Sequence, residues 1–266
     1  MSRNLLRAAL LCIGLSSAFP SSAAAASAIS FAEAPVRLVR DTSLFVAMRG
    51  ARLQNGDIIE TGAGPIQLEG MGGATVALGP ASRAYLKISG AAVELTLLSG
   101  WLKIQPGTLA AGTIIHTGAL RIAPDTSSVI IHAAPGKTAL FVESGTPSVS
   151  EMQGAKLLRS TKLAREQYAV RIAKEPLKVL PRAPKDFLGG MPPAFFDPLV
   201  PVSFKGAAPA PKLERAAVFA TDVAPWLADD PAVFQVLNRR FNPAPRRAPA
   251  APAAPAKAAP RDVPLY

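Results

Sequence analysis

From Val36 to about residue 180, apolar and polar residues take turns in short runs, each closed by a turn-forming residue. The run at Val93–Leu98 shows it best, with Val93, Leu95 and Leu97 set against Glu94 and Thr96. A period of two places alternate side chains on opposite faces of a strand, one face buried and the other wet. The same reading predicts strands at Val36–Arg40, Leu44–Met48, Asp57–Thr61, Pro65–Glu69, Thr75–Leu78, Ala84–Ile88 and Leu102–Gln105. It continues with Thr113–Thr117, Leu120–Ala123, Val129–Ala133, Thr138–Glu143, Leu157–Ser160 and Gln167–Ile172. The links hold Asn55-Gly56, Gly72-Gly73, Gly79-Pro80, Pro106-Gly107 and Pro135-Gly136, which supply the positive or fixed φ of tight turns. Many short strands at this spacing predict an all-β main domain, not a parallel α/β sheet.

One phrase within it is written twice. G-D-I-I-E-T-G-A at Gly56 returns as G-T-I-I-H-T-G-A at Gly112, with six of eight positions identical and an offset of 56. Each copy runs on to a Ser-Gly pair, Ser99-Gly100 and then Ser144-Gly145. The chain therefore builds its scaffold from two related strand-rich units, the second shortened, as a sandwich or a β-solenoid-like stack. What repeats is apolar and glycine-rich, a pattern of architecture and not of chemistry.

Beyond Pro181 the pattern breaks. P-R-A-P-K and M-P-P-A-F-F-D-P-L-V-P-V are apolar but interrupted by proline, which predicts a strap laid on a surface and pinned by Phe195 and Phe196. Within 181–242 one helix is expected. Asp222 caps a short first turn carrying Trp226 and Leu227, and Asp230-Pro231 provides an N-cap and N1 proline for A-V-F-Q-V-L-N-R-R-F. Arg239 and Arg240 suit its C-terminal end, and Val233, Phe234, Val236, Leu237 and Phe241 share a broad apolar face. That face is expected to pack on the chain's own core, with docking onto a partner as the alternative. Residues 243–266 are 16 parts in 24 proline and alanine, with Arg246, Arg247, Lys257 and Arg261 among them. Such a tail cannot bury a core and is expected to be extended and disordered.

The start of the chain changes the setting. Arg3 and Arg7, the apolar run from Ala8 to Phe19 and a small-residue exit predict a signal peptide over 1–28, cleaved after Ala28. The run is well short of the ~20 residues that span a bilayer, and no later segment is long enough. The expected location is periplasmic. Cys12, the only cysteine, lies inside the run, so the mature chain has neither disulfide nor thiolate. Loss of two arginines and no acids takes the formal charge from +11 to +9. This suits an acidic envelope polymer, an anionic lipid surface or an acidic protein face. Nucleic acid is not expected, since the charge is dispersed and lacks interleaved aromatics.

Candidate chemistry is sparse. His116 and His132 are the only histidines, too few for a three-ligand zinc site without carboxylates at suitable spacing. His116 stands where Glu60 stands in the first copy, as an exposed strand position would. Pro135-Gly136-Lys137-Thr138 imitates the end of a phosphate-binding loop, but Ile131 occupies the place of its first glycine and a strand follows. No G-x-S-x-G elbow, dinucleotide fingerprint or distinctive carboxylate pair is present. No catalytic, metal or cofactor-binding residue is nominated, and the chain is expected not to be an enzyme. The candidate interaction residues are Trp101, Trp226, Phe234, Leu237 and Phe241. Trp101 reads first as a residue packed on the sheet and second as a sugar-stacking platform.

R-L-Q-N-G-D-I-I-E-T-G at Arg52–Gly62 resembles the opening of the FecR domain. T-V-A-L-G-P-A-S-R at Thr75–Arg83, L-L-S-G-W-L-K-I at Leu97–Ile104 and F-V-E-S-G-T-P-S-V from Phe141 are similar to that family's later strands. The resemblance covers about residues 36–175. It implies a periplasmic β-rich module that works by protein contact, in a family that relays signals from an outer-membrane receptor to a sigma factor. This chain departs from that layout, because a signal peptide stands where the family has a cytoplasmic anti-sigma segment and a spanning helix. The expected domains are thus 1–28, a FecR-like β domain over 36–180, the strap and helix over 181–242, and the tail. The expected role is protein interaction or signalling, with an envelope protein such as an outer-membrane receptor or its partner. The alternative is attachment to peptidoglycan or another acidic polymer through basic charge.

Overall fold

The computed structural model describes residues 27–218 apart from 91, 108–111, 119 and 155, together with 231–241. Residues 1–26 of the expected signal peptide, Trp226 and the tail lie outside the described residues. The early strands are β1 (Ala28–Ala32), β2 (Val36–Arg40), β3 (Ser43–Ala47), β4 (Ile58–Glu60), β5 (Ile66–Met71), β6 (Ala74–Leu78) and β7 (Arg83–Ser89). Next come β8 (Ala92–Gln105), β9 (Thr113–Thr117), β10 (Leu120–Ala123), β11 (Ser128–Ala134) and β12 (Lys137–Ser144). The last are β13 (Ser148–Gln153), β14 (Lys156–Lys162), β15 (Tyr168–Ile172), β16 (Lys178–Leu180) and β17 (Lys212–Arg215). Among the described residues two α-helices, α1 (Lys185–Gly190) and α2 (Pro231–Phe241), accompany them.

The strands form two sheets that face each other as a sandwich. The first runs β1–β5–β6–β8–β11–β12–β15–β16. The second runs β17–β3–β2–β4–β7–β8–β9–β10–β13–β14. Every pairing is antiparallel except β8 with β9. The inward residues of both sheets meet in one core, with Ile66, Leu68, Val76, Leu102, Ile131 and Val142 from the first and Leu38, Ile59, Leu86, Leu95, Ile115 and Ile122 from the second. Each such side chain withdrawn from water contributes roughly 1.5–3 kcal/mol before conformational entropy is charged against it. With no cysteine after residue 12, that core is what holds the domain.

The repeated Ser-Gly pair turns out to be a corner. β8 belongs to the second sheet up to Ser99 and to the first from Gly100 onward, so one strand serves both. Its counterpart β12 lies in the first sheet, and the chain passes through Gly145 into β13 of the second. Gly100 and Gly145 both have positive φ, +89 and +79. A Cβ on either would come within 2.4 Å of a serine oxygen, Ser82 for Gly100 and Ser127 for Gly145. Only glycine permits both the φ and the approach.

Three differences from expectation have physical reasons. Val93–Leu98 and Leu102–Gln105 are one strand, because Gly100 bends the chain without breaking the ladder. β13, β16 and β17 lack apolar alternation: S-V-S-E-M-Q, K-V-L and K-L-E-R are edge or near-edge segments paired by backbone. β1 falls against the expected cleavage point. Ser27 and Ala28 are buried, Ser27 Oγ donates to the Gly70 carbonyl at 3.0 Å, and the Leu53 amide donates to the Ser27 carbonyl at 2.8 Å.

Candidate functional site

The charged and hydroxyl residues of the repeated phrase act as staples. Asp57 is fully buried and receives both prongs of Arg40, Nε at 2.8 Å and Nη2 at 2.7 Å, while the Gln54 amide donates to it at 2.8 Å. That hydrogen bond, set against burial, raises the Arg40 pKa above its ordinary value. Thr61 Oγ1 donates to the Gly79 carbonyl at 2.6 Å and accepts from the Ser82 amide at 2.8 Å, and Ser82 Oγ accepts from the Trp101 amide. Glu60 takes two bonds from Arg83. In the second copy Thr113 replaces Asp57 and donates to the Met71 carbonyl at 2.6 Å. The phrase thus encodes turn and corner geometry, and its carboxylates are occupied in holding it.

The chain itself clads part of each outer face of the sandwich. On the first sheet, residues 181–200 lie over Ala77, Ile130, Ala139 and Tyr168, inserting Phe187, Met191, Phe195 and Leu199. Phe195 is the inner pin, whereas Phe196 is exposed. Beneath the strap Lys103 is fully buried, its Nζ donating to Glu143 Oε1 at 2.8 Å and to the carbonyls of Phe195 and Asp197 at 2.8 and 2.9 Å. Gln105 exchanges two further bonds with the backbone of Leu199. Trp101 stacks on His132 (4.2 Å between ring centroids) and touches Phe187, so this ring lies between sheet and strap. Burial, with Lys137 adding to it, lowers the His132 pKa from its ordinary value. Burial likewise raises the Tyr168 pKa. A shallow apolar groove of about 230 Å³ remains between strap and β5, lined by Phe31, Ile66, Gln67, Phe195, Leu199 and Val200.

On the second sheet α2 docks at i, i+4 spacing. Val233 and Leu237 are buried against Val39, Leu44, Ile58 and Tyr85, and Phe241 is partly buried beside them. Arg240 Nη1 donates to the carbonyl of Gly56, tying the helix to the first turn of the repeated phrase. Val236 faces solvent. Leu237 and Phe241 therefore face this chain's own sheet. The side chain of Phe234, like Trp226, lies outside the described residues.

Among the described residues four strands end the two sheets, β1, β16, β17 and β14, and β14, at seven residues, is the longest of them. β14 pairs with β13 alone among the described residues, and six of its seven residues are exposed, Thr161 being half-buried. Leu157 and Leu158 are 55% and 51% exposed, the kind of apolar side chain that strands ordinarily bury. Lys156, Arg159 and Lys162 flank them with no ion pair among the described residues. The segment from Arg165 to Asp186, which follows β14 in the chain, adds exposed Arg165, Lys174, Lys178, Arg182 and Lys185 against Glu166, Glu175 and Asp186. A free row of backbone groups, two leucines and a basic rim make this the candidate interaction site. Sequence alternation marks Leu157–Ser160 as a strand, but which strand ends a sheet depends on pairings with distant segments.

Among the described residues no group of three or more metal-ligating side chains is gathered, and no helix is long and apolar enough to cross a membrane. No protein-family model matches the chain, and no curated protein matches it. Two crystal structures of a candidate anti-sigma factor from Parabacteroides distasonis are similar in part, with TM-scores of 0.40 and 0.39 and identities of 13% and 14%. In both, 47% of this chain is covered and 59% of that chain, so the likeness spans less than two thirds of those proteins. It is too slight to assign a partner.

Proposed function

We propose that this chain is a non-enzymatic interaction or signalling module of FecR-like build, periplasmic after export, that engages another envelope protein along β14. The observation that carries this reading is the open edge. The chain lays its own strap and helix on part of each outer face of the sandwich, yet among the described residues β14 is paired on one side only and holds two leucines in water. An unpaired strand edge is a template for strand addition, and natural folds otherwise blunt or cover it. The FecR-like motif residues support the same reading, since Asp57, Thr61 and Ser82 hold turns and corners.

The test is a photo-crosslinking residue at Leu158 in the full chain in living cells, with the same residue at Val200, exposed on the strap, as control. One adduct protein, formed from position 158 and not from 200, is expected. No adduct at 158 would remove the reading.

A second reading, attachment to peptidoglycan or another acidic polymer, is favoured by the basic rim from Lys156 to Lys185. Charge alone would then carry the binding, and moderate salt would release it.

A further inference from the structure

We infer that β14 accepts an acidic extended segment of a partner protein, added as the next strand of the sheet; this rests on the docking reading above. Three observations select that occupant. First, β14 disfavours pairing with a second copy in its two fully overlapping registers. Two β14 strands set antiparallel about Arg159 bring Arg159 opposite Arg159 and Lys156 opposite Lys162. A parallel in-register pair sets each cation against itself. Like charges directly opposite are destabilising in a sheet, so a full-length pair of β14 strands is disfavoured while the strand's backbone groups remain available.

Second, a β-bulge arranges the cations. The register with β13 shifts between Glu151 and Met152, with Arg159 opposite Glu151 and Leu157 opposite Met152, so Leu158 is the extra residue. Without it, Lys156 and Arg159 would fall on opposite faces of the strand. With it, Lys156, Arg159 and Thr161 follow one face, and Leu157, Ser160 and Lys162 the other. An incoming strand therefore meets two cations on one face and a leucine and a cation on the other.

Third, the cross-strand carboxylate does not neutralise the site. Glu151 stands across from Arg159 but is buried, with Oε2 accepting from the Leu177 amide at 3.1 Å, and no ion pair joins it to Arg159. Opposite-charge cross-strand pairs contribute roughly 0.2–1 kcal/mol each, so acidic residues facing these positions add selectivity to the main-chain ladder.

The probe is a labelled synthetic peptide of about eight residues, glutamate alternating with valine and threonine, titrated against the full chain by fluorescence anisotropy. Binding is expected for this peptide and not for its lysine counterpart. Lys156→Glu with Arg159→Glu is expected to weaken it on the order of tenfold. Because Arg159→Glu sets a carboxylate opposite Glu151, Lys156→Gln with Arg159→Gln is the variant expected to weaken binding several-fold with thermal stability unchanged. A third arm N-methylates alternate peptide amides, which keeps the charge and removes main-chain donors. Loss of binding there marks strand addition. Equal binding by the N-methylated peptide overturns the inference and leaves a charged surface that takes any polyanion. Equal binding by a neutral peptide overturns the acidic selectivity, and self-association through β14 in sedimentation overturns the choice of occupant. No binding of the acidic peptide with a specific protein adduct at position 158 sinks this inference alone. No adduct sinks the docking reading with it.

Discussion

At the scale of single residues, the least expected feature is Lys103. An outward position on β8 ordinarily carries a solvated lysine, but here the strap closes over it some ninety residues later in the chain, with two backbone carbonyls and Glu143 as acceptors. Lys103→Met keeps the side chain's bulk and removes the donors. It is expected to cost about 1–3 kcal/mol, because the acceptors lose a partner in a dry site. The loss should appear first as faster proteolysis within 181–200, before any change in the sandwich. His132 gives a pH signature. Its pKa lies below the ordinary 6.5 in the folded chain, so the unfolded chain binds more protons as pH falls below that value. This contribution to stability is intact above about pH 6.5 and declines as pH drops toward the folded value, by at most about 1.4 kcal/mol per pH unit. Urea titrations from pH 7.5 to 5 should show a shallower acid-side decline for His132→Gln than for the parent. An identical decline would mean that the packing of Trp101 and His132 does not resist protonation.

At the scale of elements, the strand pattern was legible where one face meets the core and the other meets water. Alternation therefore locates β2, β9 and β10 to the residue, and places most others within one or two. It is silent where backbone pairing alone makes the strand, as at polar β13 and the short charged β17. It leaves β1 unmarked, because its residues adjoin the small-residue run read as the exit of a signal peptide. Of the candidate interaction residues, Leu237 was legible as apolar and helical, but the sheet it packs on is set by residues such as Val39 and Tyr85, far off in sequence. Leu237→Ala is expected to cost about 2–3 kcal/mol by leaving a gap between helix and sheet, read as a lower urea midpoint. The proposed export offers a second check at the N-terminus. Cleavage after Ala28 would delete Ser27, with its bonds to Gly70 and Leu53, and would cut at the first residue of β1. The mass of the mature protein is therefore expected to begin at or before Ser27, which the alanines just upstream permit. A mass starting at Ile29 would mean that β1 forms without its first pairings.

At the scale of the whole molecule, the question is whether position or total charge governs binding. The chain is basic overall, and a polymer held by charge responds to the sum of cations within a Debye length of the surface. A partner added to β14 responds instead to the charges on that strand. Two double variants separate these cases at equal net charge. Lys156→Glu with Arg159→Glu reverses charge on the edge, and Arg52→Glu with Lys205→Glu reverses it on exposed residues elsewhere. Each changes the formal charge by the same amount and breaks no ion pair. For a docked strand, recovery of the position-158 adduct should fall about tenfold in the first variant and stay unchanged in the second, because cross-strand pairs act only between neighbours. Equal loss in both, together with release of the parent protein by moderate salt, would mean that the basic rim serves an acidic polymer and that the open edge of β14 is incidental to it.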